Sequence, residues 1–370
     1  MTNNKDKKVL NVPNLRFPEF TDKWEAGKLE EYILLVSGQD LSSEQYTDKE
    51  DVYPYITGAS SLNSEGIILN RWTHTPTQIV KRGDILLVCK GSGVGQLTVL
   101  SNVDKAHIAR QIMGIRAKNT ESQLFIYHYL SRLMTELKKR STGIIPGIDR
   151  KSILSLHISI PSLQEQQKVA ELLSLIEQRI ITQNKIIKKL QSLIKGITIL
   201  LATKGKPNTT IAQCLECHSS TLQENEVSHS GLYKVFGANG LLGYTDMPQM
   251  NGDSILIIKD GSGVGTVFYA QGEFSVIGTL NYLTAISNYD LRYLYFVLSV
   301  FNFQSYKTGM AIPHIYFKDY GNAKIYCPPL SEQKRIANVL GKLESKLCLE
   351  QNILASFNLQ KRYLLGQMFI

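Results

Sequence analysis

The stretch PSLQEQQKVA at residues 161–170 returns 167 residues later as PPLSEQKRIA at residues 328–337. A second motif repeats upstream in the same order, because TGIIP (142–146) corresponds to TGMAIP (308–313). A period of this length is too long for a solenoid built from short repeats. The sequence therefore predicts two copies of one domain-sized unit, a pseudo-two-fold internal duplication.

Each copy also contains GSGVG, at 91–95 and at 261–265, between two runs of strand-forming residues. The runs before it are ILLV (85–88) and ILII (255–258). Apolar residues at helical spacing follow, then the TG…IP turn, a short strand and a long helix that begins at the repeated stretch. We therefore predict an α+β fold, in which two β-rich domains are separated by two long helices.

The two long helices carry heptads. Nine of the ten a and d positions between 169 and 201 are aliphatic, and eight of the ten between 336 and 368 are apolar. Such a seam over five heptads is typical of a coiled coil, and its polar exceptions are Gln183, Glu350 and Lys361. The predicted divisions are a first β-rich domain over 1–160, a helix with its linker over 161–206, a second β-rich domain over 207–327 and a second helix over 328–370.

The glycine motif has the composition of a phosphate-binding loop but the wrong context. A Walker loop needs Gly-Lys-Ser/Thr at the start of a helix, and a dinucleotide fingerprint also needs a helix after the glycines. Here a strand-like run follows, which predicts a tight turn in a β-hairpin. Lys90, Ser92, Lys259 and Ser262 flank these turns. Either they meet a DNA phosphate or the turns are purely structural.

A second motif, Cys214-Leu-Glu-Cys217-His218, has the spacing of a c-type haem attachment site. That chemistry occurs outside the cytoplasm, and the polar residues 1–8 do not resemble a secretory signal. As a zinc site the motif lacks a second cysteine pair, and His229 is at an unconvincing distance along the chain. We predict instead a short amphipathic helix at the start of the second domain.

The composition is compatible with a nucleic-acid partner and gives no sign of a membrane. The net charge is +9, and no apolar run reaches the roughly 18–20 residues that a membrane span requires. Five cysteines, an odd number, do not suit a disulfide framework and are typical of a reducing compartment. We expect a cytoplasmic protein.

No motif for a reaction centre is found in the sequence. It has no Gly-x-Ser-x-Gly and no His-Glu-x-x-His. The only Pro-Pro pair is Pro328-Pro329 at the start of the second long helix, so the Asn/Asp-Pro-Pro-Tyr type of motif of an adenine methyltransferase is missing. The sequence therefore predicts duplicated scaffolding without catalytic residues, metal ligands or a cofactor.

Several motifs together resemble one family. PNLRFP (13–18), with Phe20 and Trp24, is similar to the opening of many type I restriction specificity subunits. The two Pro-x-Leu-x-Glu-Gln helix starts, the two TG…IP turns and the two GSGVG segments fit the same family. FGANG (236–240), followed by Gly243-Tyr244, is similar to its recognition-domain core. The resemblance covers nearly the whole chain.

This resemblance implies a function, an assembly and a pairing of the helices. Two target recognition domains would each read one half of a bipartite site in double-stranded DNA. The two helices would pair antiparallel and set the distance between the halves. The chain would join two modification subunits, which bind S-adenosylmethionine and methylate adenine, and then the restriction subunits, which are motor-nucleases. S-adenosylmethionine, ATP and Mg are thus expected only on partner subunits, and this chain would be non-catalytic.

Candidate DNA contacts follow from residue type, because Arg and Lys suit guanine edges and phosphates while Asn and Gln suit adenine. Residues 207–327 carry six Lys and Arg against nine Asp and Glu. DNA binding by this segment must therefore depend on a few individual side chains and not on its overall charge. The candidates are Arg71, Lys90, Ser92, Arg110, Gln111 and Arg140 in the first domain, and Asn239, Lys259, Ser262, Asn281, Lys307 and His314 in the second. Two alternatives stay open: a methyltransferase-like enzyme with an unrecognised site, and a coiled-coil adaptor without a DNA role.

Overall fold

A computed structural model describes residues 12–63, 66–91, 93–118, 121–140 and 147–370, without the side chains of 136–140. The chain divides into two compact units. Unit 1 comprises Met1–Asn184 and Ile353–Ile370, and unit 2 comprises Lys185–Asn352. These divisions fall inside the two long helices, whereas the sequence analysis places the boundaries at the helix ends.

Apart from its parts of the two long helices, the elements of unit 1 precede the first long helix. Its strands are β1 (Glu25–Lys28), β2 (Ile33–Ser37), β3 (Tyr53–Ile56), β4 (Leu62–Asn63), β5 (Gly66–Ile67), β6 (Trp72–Thr73), β7 (Ile79–Lys81), β8 (Ile85–Val88), β9 (Leu97–Val99), β10 (Lys105–Ile108), β11 (Ile112–Ala117) and β12 (His157–Ile160). Its shorter helices are α1 (Leu29–Tyr32), α2 (Gln123–Arg140) and α3 (Arg150–Leu154). The long helix α4 (Leu163–Ala202) follows and continues into unit 2.

Unit 2 is built in the same way. Its strands are β13 (Thr209–Thr210), β14 (Leu215–Ser219), β15 (Tyr233–Gly237), β16 (Gly240–Thr245), β17 (Met250–Asn251), β18 (Ser254–Ile258), β19 (Val267–Ala270), β20 (Glu273–Val276), β21 (Leu280–Ala285) and β22 (Lys324–Ile325). Its shorter helices are α5 (Ile211–Cys214), α6 (Leu291–Ser299) and α7 (Phe317–Tyr320). The second long helix, α8 (Leu330–Gln367), returns into unit 1.

The sheet topology of the two units confirms the duplication. Unit 1 contains an antiparallel sheet in the order β2-β11-β8-β9 and a second sheet in the order β6-β3-β10-β7, in which β3 and β10 are parallel. Unit 2 contains β14-β21-β18-β19 and β16-β15-β20-β17, in which β15 and β20 are parallel. The small pair β1-β12 corresponds to β13-β22. The predicted α+β class and the predicted hairpin across each glycine motif, β8-β9 and β18-β19, are confirmed.

The ILLV run is continuously apolar because β8 has a hydrophobic core on each face. Ile85 and Leu87 belong to a core shared with α2 and the start of α4, while Leu86 and Val88 belong to a second core under the other sheet. Successive side chains of a strand point to opposite faces, so a strand between two cores needs apolar residues at every position. In unit 2, Ile255 and Leu256 separate into two cores in the same way.

The two long helices run antiparallel. In unit 1, Val169 near the start of α4 and Met368 at the end of α8 belong to one core. In unit 2, Leu201 at the end of α4 packs in the same core as Ile336 near the start of α8. Each of the twenty predicted a and d positions is buried or half-buried, which confirms the coiled-coil prediction. No helix among the described residues combines the length and the apolar composition that crossing a membrane requires.

The N-terminal motif is held by the repeated stretch. Glu165, in the first turn of α4, accepts hydrogen bonds from Arg16 at 2.7 Å and from the indole N–H of Trp24 at 3.2 Å. Its side chain is buried, so the paired guanidinium offsets the cost of removing the carboxylate from water. The hydrogen bond to Glu165 raises the pKa of Arg16 above its usual value. The corresponding Glu332 forms a looser pair with Lys204 at 3.3 Å.

The last residue of the Pro-x-Leu-x-Glu-Gln motif is a buried glutamine that makes structural hydrogen bonds in both units. In unit 1, Gln166 accepts a hydrogen bond from the Ser122 N–H (2.9 Å) and donates to the Pro161 carbonyl (2.9 Å). In unit 2, Gln333 accepts from the Asp290 N–H (2.9 Å) and donates to the Pro328 carbonyl (2.8 Å). Each glutamine therefore ties the start of its long helix to the segment that leads into α2 or α6.

Replacing Gln333 with Leu is expected to destabilise unit 2 by about 2 kcal/mol or more. The change leaves the Asp290 N–H and the Pro328 carbonyl without their partner, and an unsatisfied buried group costs about 1–3 kcal/mol. Urea denaturation followed by circular dichroism measures the loss. Gln351→Leu is the matched control, because Gln351 is exposed on the same helix and a surface change costs within about 0.5 kcal/mol. Equal losses from both variants would contradict the role assigned to Gln333.

Candidate nucleic-acid interface

Three segments of unit 1 meet beside the first glycine motif. The Cys89 N–H donates to the Gln111 carbonyl (2.8 Å), and the Ile148 N–H donates to the Cys89 carbonyl (2.8 Å). These hydrogen bonds bring together the turn after β8, the turn before β11 and the segment before α3. The three segments form one edge of unit 1. Lys90, Arg110 and Gln111 lie there with exposed side chains, and we call these three residues the unit 1 rim.

Glycines shape this edge. Gly91 has a φ of +86°, a left-handed conformation that glycine adopts without strain. A Cβ on Gly58, in the loop after β3, would lie 2.5 Å from Oε1 of Gln111. The missing side chain at Gly58 therefore lets that loop approach the rim closely.

Arg110 is oriented by a loop that a buried histidine supports. Its Nε lies 2.7 Å from Oδ2 of Asp40, and its backbone N–H donates to Oδ1 of the same carboxylate at 3.1 Å. His107 lies beneath, where Nδ1 accepts from the Gln78 N–H and Nε2 is 2.9 Å from the Gln39 carbonyl. Burial lowers the pKa of His107, so the ring stays neutral and donates through Nε2. This fixed loop holds Asp40 beside Arg110.

Unit 2 repeats this edge with different side chains. The Lys259 N–H donates to the Thr279 carbonyl (2.9 Å), and the Ile315 N–H donates to the Lys259 carbonyl (2.9 Å). These hydrogen bonds correspond to those of Cys89, so Lys259 stands at the position of Cys89 and Asp260 at that of Lys90. We call Lys259, Asp260 and Thr279 the unit 2 rim. The charge at this turn position is therefore reversed between the two units, from the exposed Lys90 to the half-buried Asp260.

The remaining sequence-based candidates are distributed more widely. Arg71 lies on the second sheet of unit 1, where it contacts Asp48 at 3.6 Å and lies over the ring of Tyr46. No contact given by the structure joins it to the unit 1 rim. Ser92 lies outside the described residues, and so does the side chain of Arg140.

In unit 2, four candidates are accessible and one is not. Asn239 is exposed in the two-residue turn between β15 and β16, and Ser262 is exposed in the glycine motif. Lys307 and His314 are half-buried on either side of the TGMAIP turn. Asn281 is only 5% exposed on β21, where it accepts a hydrogen bond from Ser219 at 2.9 Å. The structure thus contradicts Asn281 as a contact, because its amide is packed and paired inside the sheet.

Two residues that sequence reasoning missed lie beside the unit 2 rim. The ring of Tyr316 is 5.1 Å from that of His314, and Nζ of Lys318 lies 5.2 Å from the Tyr316 centroid. Tyr316 and Lys318 are exposed, which makes an aromatic and basic surface next to the turn. The alternation of His314, Tyr316 and Lys318 along the chain could have indicated this surface from the sequence.

The cysteine motif is built into the core of unit 2. Cys214 is buried on α5, with its sulfur 3.9 Å from that of Cys327, and the predicted short helix is confirmed over Ile211–Cys214. His218 stacks on Tyr282 at 5.0 Å, and burial raises the pKa of Cys217 to about 11. Within the described part of the chain, no three His, Cys, Asp or Glu side chains are grouped so that they could hold a metal ion.

Two parts of the chain, residues 21–192 and 213–358, match a family model described as the type I restriction modification DNA specificity domain. The chain belongs to this family. The match confirms the resemblance that the motifs indicated, and its two segments agree with the duplication. Both glycine motifs and both helix starts of the specificity domain lie within the matched residues.

Two curated relatives are specificity subunits. The type I restriction enzyme MjaVIII specificity subunit of Methanocaldococcus jannaschii is 28% identical over 204 residues, which cover 54% of this chain and 46% of the relative. The EcoprrI specificity subunit of Escherichia coli is 24% identical over 116 residues, covering 31% and 29%. The alignments therefore span less than half the length of these curated relatives.

Solved structures share the fold over more than nine-tenths of the chain. The S subunit of a type I restriction-modification system from M. genitalium has a TM-score of 0.70 at 18% identity, covering 97% of this chain and 99% of that one. A structure described as the structural basis of complex assembly and conformational transition of the type I R-M system has a TM-score of 0.54 at 15% identity, covering 93% and 97%. At these identities the likeness establishes the architecture of the specificity domains and not their sites.

Proposed function

We propose that this chain is the DNA-specificity subunit of a type I restriction-modification complex and reads a bipartite site, one half with each unit. The observation that carries the proposal is the edge beside the glycine motif, which is built in the same way in both units. The same hydrogen bonds form in both units, while the side chains at the corresponding positions change from the exposed Lys90 and Gln111 to the half-buried Asp260 and Thr279. A constant scaffold with different side chains at its edge is what reading two different half-sites requires.

The chemistry of the unit 1 rim suits DNA. Arg110 is the type of residue that reads guanine through two parallel hydrogen bonds, and Gln111 is the type that reads adenine. Lys90 is suited to contact a phosphate. Such a contact fixes the position of the protein on the DNA but carries no information about the base sequence. In unit 2, Asp260 can accept a hydrogen bond from the amino group of cytosine. Arg71, Ser92, Arg140, Asn239, Lys259, Ser262, Lys307 and His314 remain proposed contacts.

The proposed assembly includes two modification subunits and the restriction subunits. The long helices support this, because large apolar side chains are exposed on them as well as buried in the seam. The exposed ones include Leu175, Leu200, Leu349, Leu359 and Tyr363. Such residues suit partner subunits that carry S-adenosylmethionine, ATP and Mg, while this chain itself catalyses nothing. The proposed location is the cytoplasm.

Single substitutions in the unit 1 rim test this function in the complex with the modification subunits. Lys90→Ala is expected to weaken binding to all DNA sequences about equally and to reduce the salt slope by about 1, because one phosphate contact is lost. Gln111→Ala is expected to cost about 1–3 kcal/mol on the target site and to relax one position of it. Fluorescence anisotropy at several salt concentrations and sequencing of methylated adenines measure both effects.

Arg82→Ala is the matched control. Arg82 is also exposed in unit 1, but it pairs with Asp104 at 2.9 Å, away from the rim contacts. Rim variants that behave like Arg82→Ala would contradict the proposed interface. Methylation by the isolated chain would favour an enzyme instead, and a complex that retains no DNA would favour the adaptor hypothesis.

A further inference from the structure

The TGMAIP motif of unit 2 forms a hairpin with an apolar tip. The Thr308 N–H donates to the His314 carbonyl (2.9 Å), and the His314 N–H donates back to Thr308 (2.8 Å). Between them, Met310 is fully exposed and Ile312 is 67% exposed. Neither side chain contributes to the cores of unit 2. The folded unit therefore gains nothing evident from the apolar character of this tip.

Backbone hydrogen bonds connect the hairpin to the unit 2 rim. The Gly261 N–H donates to the Pro313 carbonyl (2.9 Å), and the backbones of Asp260 and His314 pair in an isolated antiparallel β-bridge. Ile315, the next residue, is buried in the main core. Gly309 has a φ of +85°, and a Cβ there would lie 2.4 Å from the Ile312 carbonyl. These contacts place the tip at the edge proposed to face DNA.

The surroundings of the tip suit nucleic acid. Lys307 and His314 flank the hairpin, and Tyr316 and Lys318 continue from it. Three basic side chains and an aromatic ring here contrast with the acidic balance of residues 207–327 as a whole. Asp260 is an acidic residue next to this group, because its backbone pairs with that of His314 in an isolated β-bridge. The local charge complements a phosphate backbone on both sides of the apolar tip.

The first copy carries the same chemistry in its sequence. TGIIP places Ile144 and Ile145 between the glycine and the proline, where TGMAIP has Met310, Ala311 and Ile312. Residues 141–146 lie outside the described residues, so this comparison concerns sequence alone. Both copies thus keep large apolar residues at this turn although their rims differ.

We propose that Met310 and Ile312 form a wedge that inserts against the base pairs of the half-site read by unit 2 and unstacks one base step. The proposal rests on the proposed function and adds a second mode of recognition to it. Apolar side chains such as Met and Ile act in this way in proteins that kink DNA. Pyrimidine–purine steps unstack most readily, so the wedge selects a deformable step without hydrogen bonds to its bases.

The test uses the complex of the full chain with its modification subunits, bound to a duplex that carries its target site. 2-Aminopurine is placed in turn at each position of the unit 2 half-site and its flanks, except at the methylated adenines, where base flipping perturbs the signal. Complex formation is expected to raise the fluorescence at one step by severalfold. The double variant Met310→Ala with Ile312→Ala is expected to abolish this rise and to weaken binding about tenfold.

Two further variants control the experiment. Met310→Leu with Ile312→Leu keeps the apolar volume and is expected to keep the signal. Met247→Ala removes another exposed methionine, from the loop between β16 and β17, and is expected to change nothing. All the substituted side chains are exposed, so an unchanged melting temperature confirms that each variant is folded.

The outcomes separate this inference from the proposed function. An alanine double variant that binds its site as tightly as the wild type, with the fluorescence rise intact, would overturn the wedge and leave the specificity function standing. Loss of assembly with the modification subunits in the absence of DNA would also overturn it, because the tip would then contact protein. A wild-type complex without any sequence-specific binding would overturn the proposed function and the wedge together.

Discussion

Replacing residues 208–327 with the matching segment of a related specificity subunit is expected to change one half of the methylated motif completely and to leave the other half intact. The segment contains β13 to β22, α5 to α7 and the unit 2 rim. Unit 1 has its own sheets, cores and rim, so its contacts should not depend on the exchanged residues. Sequencing of methylated adenines in cells that carry the hybrid measures the result.

The structure fixes the best limits for this exchange. Asn208 and Cys327 share two hydrogen bonds, of 2.8 and 2.9 Å, so both partners should move together. The graft must also supply a backbone N–H at position 290 for Gln333. The reciprocal exchange of residues 21–160 is the matched control and should change the other half. A change in both halves after either exchange would show that the units do not read DNA independently.

Insertion of four residues after Lys195 is expected to lengthen the unread gap of the motif by one or two base pairs and to leave both half-sites unchanged. Four helical residues add about 6 Å at about 1.5 Å each, and DNA advances about 3.4 Å per base pair. The buried seam opposes sliding of one helix along the other. A longer α4 should therefore displace one recognition unit along the DNA.

The methylated motif of the insertion variant measures the gap. A seven-residue insertion at the same site is a useful companion, because it keeps the heptad register that a four-residue insertion shifts. Replacing four exposed residues of α4 without a change in length is the control and should leave the gap as it is. An altered half-site with an unchanged gap would show that the helices do not set the distance.

Much of the fold could be predicted because its signals are local. The seam positions of α4 and α8, the hairpins across GSGVG and the start of each long helix all depend on spacing within a few residues. The candidate site was predicted less well. Lys90 and Lys259 both flank a glycine motif, but Asp260 and not Lys259 is at the position of Lys90, as the gapless alignment of residues 85–95 with 255–265 and the hydrogen bonds of Cys89 and Lys259 agree.

The sequence by itself determined the duplication, the α+β class and the coiled coil, since periodicity and repetition are properties of the chain alone. Tertiary structure decided which side chains face water. Asn281 is a residue type that can contact DNA bases, but it is buried on β21. Met310 is a residue type usually found in the core, but it is fully exposed. Glu165 meets Arg16 across 149 residues of chain. Burial and pairing of this kind depend on which distant segments of the chain pack together, and this packing cannot be inferred from the spacing of residues along the sequence.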